Sequence, residues 1–314
     1  MIENIKFLGI PVFKNKKTKY YEKKYLFGLC IRKSKKEKYW IEDFCENNPT
    51  LKNQYIYFLG TPLGEASIFA RTLPFWYKNN AKIICTKRQH IEIFKLFAPD
   101  TKIHYQGKGS LIMPIRVNEN YFDPILGTFE LVSINNQEKH FFKQWEKYLN
   151  ADFSKQEFSK ARISEKDRES AFKKLEQKKV NLEKYVFIMK NANSIKELNR
   201  LFWLKLEVKL KKMGFDIVYN SKNFSITEAY AIAEKAKALI SLRNGFNDIL
   251  SEIKVPQFLI YSKGRLHDDL QQMYTMKYFP WAVQDYITEY NTVNQKTKDI
   301  ISDILKKIVK ENKK

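Results

Sequence analysis

The chain has 314 residues, of which 57 are Lys or Arg and 35 are Asp or Glu, so its formal net charge is +22. With 44% hydrophobic and 15% aromatic residues it has enough apolar surface for a sizeable core, which excludes intrinsic disorder. The sequence contains no apolar run of about 18 residues and no secretory leader, so we expect a cytoplasmic protein.

The first forty residues are strongly basic, with 12 basic and 3 acidic side chains and a net charge of +9. Two β-rich runs in this segment, Lys6–Lys14 and Lys24–Arg32, resemble each other and are separated by a lysine-rich turn. This pattern predicts a small hairpin within a basic N-terminal extension at 1–50. The extension would serve either as a stabilising flap or as a surface against lipid or an acceptor.

From Gln54 onward, strands alternate with helices, a pattern typical of a parallel sheet with helices on its faces. We place a first α/β domain at 51–150 on this pattern. Its predicted strands are Tyr55–Leu59, Ala81–Cys85, Lys102–Tyr105, Ser110–Val117 and Phe129–Ile134, and its predicted helices are Glu65–Trp76 and Ile91–Phe97.

Residues 137–184 are highly charged and lack Gly and Pro, which predicts helix and a helical connector at 151–182. A second strand–helix series follows in a domain at 183–270. Its predicted strands are Tyr185–Met189, Phe215–Tyr219, Ala238–Leu242 and Val255–Tyr261, and its predicted helices are Lys196–Met213, Thr227–Lys237 and Phe246–Ile253.

After Arg265 we predict helix to the end of the chain, with C-terminal helices at 271–314. The aromatic segment Tyr274–Trp281 is compatible with a core position between domains, a subunit contact or a membrane-facing patch.

The whole pattern predicts an α/β protein with two Rossmann-like domains facing each other across a cleft. In such folds ligands bind at the carboxyl ends of the strands.

The loops after the strands of the second domain carry the candidate ligand-binding residues. Arg243 could pair bidentately with a diphosphate, and Gly245 lets backbone amides approach a phosphate closely. Asn244 could donate further hydrogen bonds, and Asp248 is either a helix-dipole partner or a sugar-hydroxyl acceptor. The alternative is an ordinary Asn-Gly turn with a capping Asn.

A second loop, Lys190–Ser194, occupies the equivalent position after the first strand of the same domain. Lys190, Asn191 and Ser194 could hydrogen-bond a diphosphate, or the loop could be a plain strand-to-helix connection with Ser194 as N-cap.

The corresponding junction of the first domain carries the candidate catalytic acid. Glu65 follows Gly64 at the start of a predicted helix. A carboxylate there could act as general base on a sugar hydroxyl, or could simply interact favourably with the helix dipole.

No metal-binding pattern accompanies these residues. The three cysteines, Cys30, Cys45 and Cys85, are unrelated in spacing and the four histidines are scattered, so we expect neither a disulfide framework nor a metal site.

Two segments resemble bacterial heptosyltransferases. The run Thr61–Glu65, followed by Ser67–Pro74, is similar to that family's first strand–helix junction. Glu65 stands at the position of the family's Asp, which is taken to be its general base. The run Arg243–Asp248 is similar to the family's Asp-Thr-Gly-Leu-Ser-His segment, with Arg243 in place of the Asp and Asp248 in place of the His. A Leu-Arg-Asn-Gly segment also resembles the wider set of surface-polysaccharide transferases.

The resemblance covers roughly residues 54–262 and implies a GT-B glycosyltransferase without metal or other cofactor. Its donor would be a nucleotide-sugar, and its acceptor a glycan or glycolipid of the capsule or lipopolysaccharide. Glu65 would take the acceptor proton while Arg243 and backbone amides neutralise the leaving diphosphate.

The charge adds an anionic membrane surface as a further expected partner, at the inner face of the inner membrane. Two alternatives remain: another two-domain nucleotide-sugar enzyme or non-catalytic sugar-binding relative, and a nucleic-acid-binding protein. Dispersed basic residues and the lack of a nucleic-acid-binding motif argue against the last.

Overall fold

The computed structural model describes the backbone of 2–7, 10–17, 21–26, 29–35, 56–59, 62–73, 82–85, 87–105, 121–122, 140, 142–143, 146, 152–193, 195–264 and 270–311. The chain divides into two compact units. The first consists of Met1–Gly60, Lys78–Thr86 and Ile103–Asp123, and the second consists of Thr61–Tyr77, Lys87–Lys102 and Pro124–Lys314.

The N-terminal extension of the first unit forms a four-stranded antiparallel sheet. Its strands are β1 (Ile2–Phe7), β2 (Ile10–Lys17), β3 (Tyr21–Leu26) and β4 (Leu29–Lys35), and they pair in sequence order. The predicted hairpin is present as β2 and β3, which pair antiparallel, and β1 and β4 extend it to four strands. The run Lys6–Lys14 contributes to β1 and β2, and the run Lys24–Arg32 contributes to β3 and β4.

The first unit also contains a parallel sheet in the order β7-β6-β5-β8. Its strands are β5 (Ile56–Leu59), β6 (Lys82–Cys85), β7 (Ile103–Tyr105) and β8 (Tyr121–Phe122). The first three confirm the predicted strands, whereas β8 was not predicted. The predicted strands at Ser110–Val117 and Phe129–Ile134 lie outside the described residues.

The second unit is built on a five-stranded parallel sheet in the order β10-β9-β11-β12-β13. The strands are β9 (Tyr185–Met189), β10 (Asp216–Tyr219), β11 (Ala238–Leu242), β12 (Gln257–Tyr261) and β13 (Ile287–Asn291). Every residue of β9, β11 and β12 is buried, as expected for central strands covered on both faces. Together the two parallel sheets confirm the predicted α/β class.

Strand β13 corrects the prediction of helix from Arg265 to the end. Ile287–Asn291 carries two adjacent polar residues, Thr288 and Glu289, and β12 is its one strand neighbour among the described residues. Helices do flank it, at α7 (Leu270–Tyr274) and α8 (Thr297–Glu311).

Six further helices of the second unit are described, and two of them carry the sequence signals that predicted an end. They are α1 (Leu63–Arg71), α2 (Arg88–Phe97), α3 (Glu165–Gln177), α4 (Arg200–Lys212), α5 (Ile226–Lys235) and α6 (Gly245–Leu250). Ser225 and Glu228 form the predicted capping box of α5. Gly214 ends the α4 segment with a φ of +80°, which favours glycine.

Two predicted helices start later or are shorter than expected. Helix α4 begins at Arg200 rather than Lys196, because Asn199 caps it by accepting a hydrogen bond from the Leu201 amide. In the connector at 151–182, α3 and a short 3-10 helix at Phe153–Lys155 are the described helices, and residues 157–164 between them are not helical.

The helices of the second unit form two groups. Helices α4 and α8 share a buried apolar cluster with β9, β11 and β12. Helices α5 and α6 instead contact α1 and α2, and Glu92 of α2 accepts a hydrogen bond of 2.6 Å from the Ile226 amide. Right-handed crossovers place α4 and α6 on opposite faces of the sheet, since their strands step in opposite directions.

The aromatic segment Tyr274–Trp281 contributes buried rings to the core of the second unit, whereas a position between domains stays a prediction. Phe279 and Trp281 are 2% and 9% exposed, and their rings pack against Phe142 at centroid distances of 5.3 and 5.2 Å. No helix among the described residues combines the length and apolar character that crossing a bilayer requires.

Candidate active site

Helices α1 and α6 touch through two glycines at their N-terminal ends. A Cβ atom on Gly64 would lie 2.8 Å from Gly245 Cα and 2.2 Å from Asp248 Oδ2. A Cβ atom on Gly245 would lie 2.6 Å from the Gly64 nitrogen. Only glycine at both positions allows this approach, so the two helix starts are held side by side.

The other end of α1 is fixed to the same region by Arg71. This buried guanidinium pairs with Glu252 at 3.1 Å, and its Nη2 also donates to the Ile249 carbonyl at 3.2 Å. The guanidinium lies 3.9 Å from the centre of the Phe97 ring, which adds a cation–π contact. Since contacts occur at both ends, α1 runs beside α6 in the same direction, and their positive dipole ends converge.

Arg243 and Asp248 form a buried ion pair directly behind this junction. The two residues are 6% and 5% exposed, and Nη2 donates to Oδ1 at 2.5 Å. Arg243 also donates to the carbonyls of Asn244 and Tyr274. Burial raises the pKa of Asp248, against the opposing effect of Arg243, while the Asp248 carboxylate keeps the pKa of Arg243 above its usual value despite burial.

Glu65 stands in the first turn of α1 beside this pair. The residue as a whole is half-buried, and the packing around its carboxyl raises its pKa from 4.5 to about 7, chiefly because burial removes water. The nearby Asp248 charge raises this pKa further, whereas a backbone hydrogen bond and the Arg243 and Lys87 cations lower it. A carboxylate with such a pKa is suited to accept a proton near neutral pH.

A small cavity of about 60 Å³ opens at this carboxyl. It is large enough for a few water molecules but not for a sugar ring. Its lining consists of Pro62, Glu65, Ile195, Arg243, Asn244, Gly245, Asp248, Tyr261 and Tyr274. Pro62 provides no side-chain cap for α1, so no cap from that residue competes for the helix's first amides.

Glu289 of β13 holds one wall of the small cavity in place. Its carboxylate accepts hydrogen bonds from the Tyr261 hydroxyl at 2.6 Å, the Thr275 hydroxyl at 2.5 Å and the Met276 amide at 3.0 Å. The Tyr261 hydroxyl also contacts the Tyr274 carbonyl at 3.0 Å. Tyr274 is thereby positioned against Glu65, and burial raises the pKa of its phenol.

A larger cavity of about 340 Å³ lies at the carboxyl ends of β9, β10 and β11. Its volume is within the range of roughly 300–1,000 Å³ typical of small-molecule sites. Asn244 lines both cavities, so the two adjoin. The lining is Leu63, Met189, Lys190, Asn191, Asn220, Ser221, Lys222, Phe224, Ser225, Ile226, Ala229, Asn244 and Phe246, whose charged members are two lysines.

The structure brings most of the predicted site residues together at these cavities. Lys190 and Asn191 line the larger one, and the Asn244 side chain links the two predicted loops by donating to the Asn191 carbonyl at 3.1 Å. The Lys190 ammonium pairs with Glu207 and lies 4.3 Å from the centre of the Tyr219 ring. Ser194 lies outside the described residues. Contact of Arg243 or Lys190 with a diphosphate stays a prediction.

Sequence reasoning missed the loop Asn220–Phe224 and Tyr274. The loop directly follows β10, so its place at the carboxyl edge of a parallel sheet was a signal that could have found it. In the described part of the chain, no three His, Cys, Asp or Glu side chains are grouped so that they could hold a metal ion.

Two solved glycosyltransferases resemble the chain in structure. ADP-heptose lipopolysaccharide heptosyltransferase II of E. coli matches with a TM-score of 0.54 and 7% identity, over 82% of this chain and 99% of that chain. A family 9 glycosyl transferase from Veillonella parvula matches with a TM-score of 0.50 and 11% identity, over 80% of this chain and 90% of that chain.

No protein-family model and no curated protein matches the sequence. At the low identity of the two structural matches the likeness is one of fold. The chain therefore has the fold of these glycosyltransferases, which confirms at the level of fold the resemblance to heptosyltransferases found in its sequence.

Proposed function

We propose that the protein is a glycosyltransferase that moves a sugar from a nucleotide-sugar donor to a glycan or glycolipid acceptor. One observation carries this proposal: Glu65, a carboxyl whose pKa is raised to about 7, lies at a small cavity adjoining a larger one of nucleotide size. The fold shared with two glycosyltransferases supports the same reaction class.

The larger cavity is the proposed donor site. Its lining cations are Lys222 and Lys190, the latter paired with Glu207 outside the lining, and no carboxylate is among its described lining residues. Phe224, Phe246 and Ile226 supply apolar surface for a base or ribose, while Asn191 and Ser221 supply hydrogen-bonding groups. This combination suits an anionic, partly flat ligand such as a nucleoside diphosphate.

In the proposed reaction, the acceptor hydroxyl attacks the anomeric carbon of the donor sugar. Glu65 takes the hydroxyl proton as the new bond to carbon forms and the bond from carbon to the diphosphate oxygen breaks. In this proposal Lys190 and Arg243, each also paired with a carboxylate, and the converging helix starts at Gly64 and Gly245 stabilise the leaving diphosphate, without a metal. Because the small cavity has no room for a sugar, the lining of this cavity must move to admit it.

The proposed enzyme has two Rossmann-like domains facing each other across a cleft in a GT-B arrangement. Its proposed acceptor is a surface glycan of the capsule or lipopolysaccharide, and its proposed location is a peripheral attachment at the inner face of the inner membrane. The structural neighbour from E. coli is described as an ADP-heptose transferase, which places ADP among the nucleotides to be tested.

The first test is thermal-shift screening of the full chain with UDP, GDP, ADP and CMP. We expect one nucleotide to raise the melting temperature. Ser221→Trp, which places an indole in the larger cavity, should abolish the shift. Ser302→Trp on the exposed side of α8 is the matched control and should retain it. A chain that responds to none of the four nucleotides would contradict the proposal.

The second test separates catalysis from binding. Glu65→Gln should retain the nucleotide shift and lose at least about a hundredfold in donor turnover, the usual contribution of a general base. A Glu65→Gln variant with full turnover would show that Glu65 is not the base. Nucleotide binding without turnover in the unaltered chain would favour a sugar-binding relative instead.

A further inference from the structure

Helix α4 has apolar side chains on both of its faces. Phe202, Trp203, Leu206 and Leu210 are at most 5% exposed and pack in the core of the second unit. On the outer side Leu201, Leu204 and Val208 are 56%, 51% and 44% exposed. Their spacing of three and four residues aligns them in one stripe along the helix. A stripe of this kind marks an interaction surface.

Basic side chains surround this outer stripe. The exposed cations of the helix are Arg200, Lys205, Lys209, Lys211 and Lys212. Glu207 is the one acid of α4, and its half-buried carboxylate pairs with Lys190. The outer side of α4 therefore presents five positive charges and three apolar side chains, with no exposed carboxylate of its own.

We propose that the outer side of α4 binds the surface of an anionic lipid bilayer. Leu201, Leu204 and Val208 would enter the boundary between headgroups and acyl chains, and the flanking cations would contact lipid phosphates. Helices that lie in a membrane interface combine an apolar strip with basic residues in this way. Each basic residue near an anionic leaflet strengthens the attachment.

The basic charge around the stripe of α4 favours a bilayer over a protein as its binding partner. Lysine is depleted at the centre of protein–protein interfaces, because its ammonium is costly to remove from water there. At a bilayer surface the same side chains extend their alkyl stems along apolar groups and keep the ammonium among phosphates. Lys205 and Lys209 lie on one side of the stripe, and Arg200 and Lys211 lie on the other.

This attachment leaves the candidate active site accessible. Helix α4 lies on the opposite face of the sheet from α6, which carries Gly245. The proposed surface also differs from the basic N-terminal segment and the C-terminal helix that the charge pattern alone suggested. It names a surface for the membrane attachment in the proposed function, but it requires no nucleotide and no transfer reaction, so its failure would leave the proposed sugar transfer untouched.

The test is co-sedimentation of the full chain, without nucleotide, with two kinds of vesicle at physiological salt. One contains phosphatidylglycerol and phosphatidylcholine, and the other contains phosphatidylcholine alone. We expect binding to the anionic vesicles, and a loss of about tenfold or more in partition coefficient for the L201Q/L204Q/V208Q variant. Glutamine keeps the helix propensity of α4, and the replaced side chains lie outside the core.

A matched pair of charge variants checks whether the overall basic charge accounts for binding. K205Q/K209Q/K212Q should weaken binding about as strongly as the apolar variant. K166Q/K173Q/K235Q removes three equally exposed lysines from α3 and α5 and should change binding less than about twofold. Equal losses for the two lysine sets would overturn the proposal.

Two further outcomes would also overturn it. One is an apolar variant that binds anionic vesicles as well as the unaltered chain. The other is an unaltered chain that dimerises in light scattering, with an apolar variant that is monomeric but equally bound to vesicles. That result would show that the stripe binds a second copy of this chain and not a bilayer.

Discussion

Gly64 and Gly245 are 181 positions apart in the chain, yet a Cβ on either one would overlap the backbone of the other. This contact joins the starts of two parallel helices, of which the first carries Glu65 and the second carries Asp248, the partner of Arg243. The spacing of the proposed catalytic carboxyl from the proposed diphosphate site therefore depends on two residues without side chains.

We predict that Gly64→Ala separates the two helix starts. The added methyl would lie 2.2 Å from Asp248 Oδ2, so the expected loss in free energy of unfolding is about 1–3 kcal/mol, with loss of nucleotide binding. Gly214→Ala is the control, because its φ of +80° also makes alanine destabilising, at a site remote from the cavities. Denaturant unfolding and nucleotide thermal shift measure both effects. Equal nucleotide affinity in the two variants would contradict the role of the contact.

Glu65→Gln should stabilise the fold at alkaline pH. The pKa of Glu65 is about 7 in the folded chain against 4.5 ordinarily, so folding favours the neutral carboxyl. The contribution of Glu65 to the stability of the folded chain is fully present below pH 4.5 and is lost as the pH rises to about 7. At pH 8 the variant should therefore be more stable by about 1–2 kcal/mol, a figure reduced for partial exposure, and near pH 4.5 the difference should vanish. Thermal unfolding at the two pH values decides this.

Ionisation of Glu65, which lowers the stability of the fold, should increase turnover. A general base must be ionised, so donor kcat/KM of the unaltered chain should rise with pH and level off above about 7. Steady-state kinetics across this range would measure the apparent pKa. A flat profile between pH 5 and 8 in a chain with normal turnover would exclude Glu65 as the base.

Asp248→Asn should destabilise the protein by about 3–5 kcal/mol, because it leaves the buried Arg243 cation without its charge partner. Replacing both members by apolar residues in R243M/D248L should recover most of that stability, since no charge is then left buried. Nucleotide binding should remain lost in the double variant if Arg243 contributes to the diphosphate site. Urea unfolding and thermal shift on the same samples separate the two contributions.

Glu252→Gln should loosen α1 without touching either cavity. The Glu252 carboxylate accepts from Arg71, the Tyr230 hydroxyl at 2.9 Å and the Ala161 amide at 3.0 Å. Removing its charge leaves the buried Arg71 poorly compensated, with an expected loss of about 3 kcal/mol. Increased amide exchange confined to α1 and its neighbours would confirm this, whereas unchanged exchange in α1 would refute it.

Local signals were sufficient for the interior of the second unit. Apolar runs such as Tyr185–Met189 and Ala238–Leu242 are buried on both faces, so their composition predicted strands directly. The edge strand Ile287–Asn291 escaped detection because Ile287 and Tyr290 are its apolar residues, and β12 is its one strand neighbour in the described part of the chain. The adjacent polar residues Thr288 and Glu289 obscure the strand pattern in the sequence, although Glu289 accepts three hydrogen bonds at the site.

The sequence predicted which residues form the candidate site better than it predicted the contacts among them. Lys190, Asn191, Asn244 and Gly245 lie at the strand ends where parallel-sheet topology puts them. The inward direction of Arg243 depends on Asp248 and on the carbonyl of Tyr274, which is distant in sequence. The helix contact at Gly64 likewise required the folded chain, because no local pattern specifies a long-range approach.

The most direct test of the account is amide hydrogen exchange of the full chain with and without each of ADP, UDP, GDP and CMP. The account predicts that at least one nucleotide slows exchange at residues 220–226 and 244–246, around the larger cavity, and leaves α3 at Glu165–Gln177 unchanged. Protection that spares 220–226 and 244–246, with any nucleotide that binds, would contradict the placement of the donor beside Glu65.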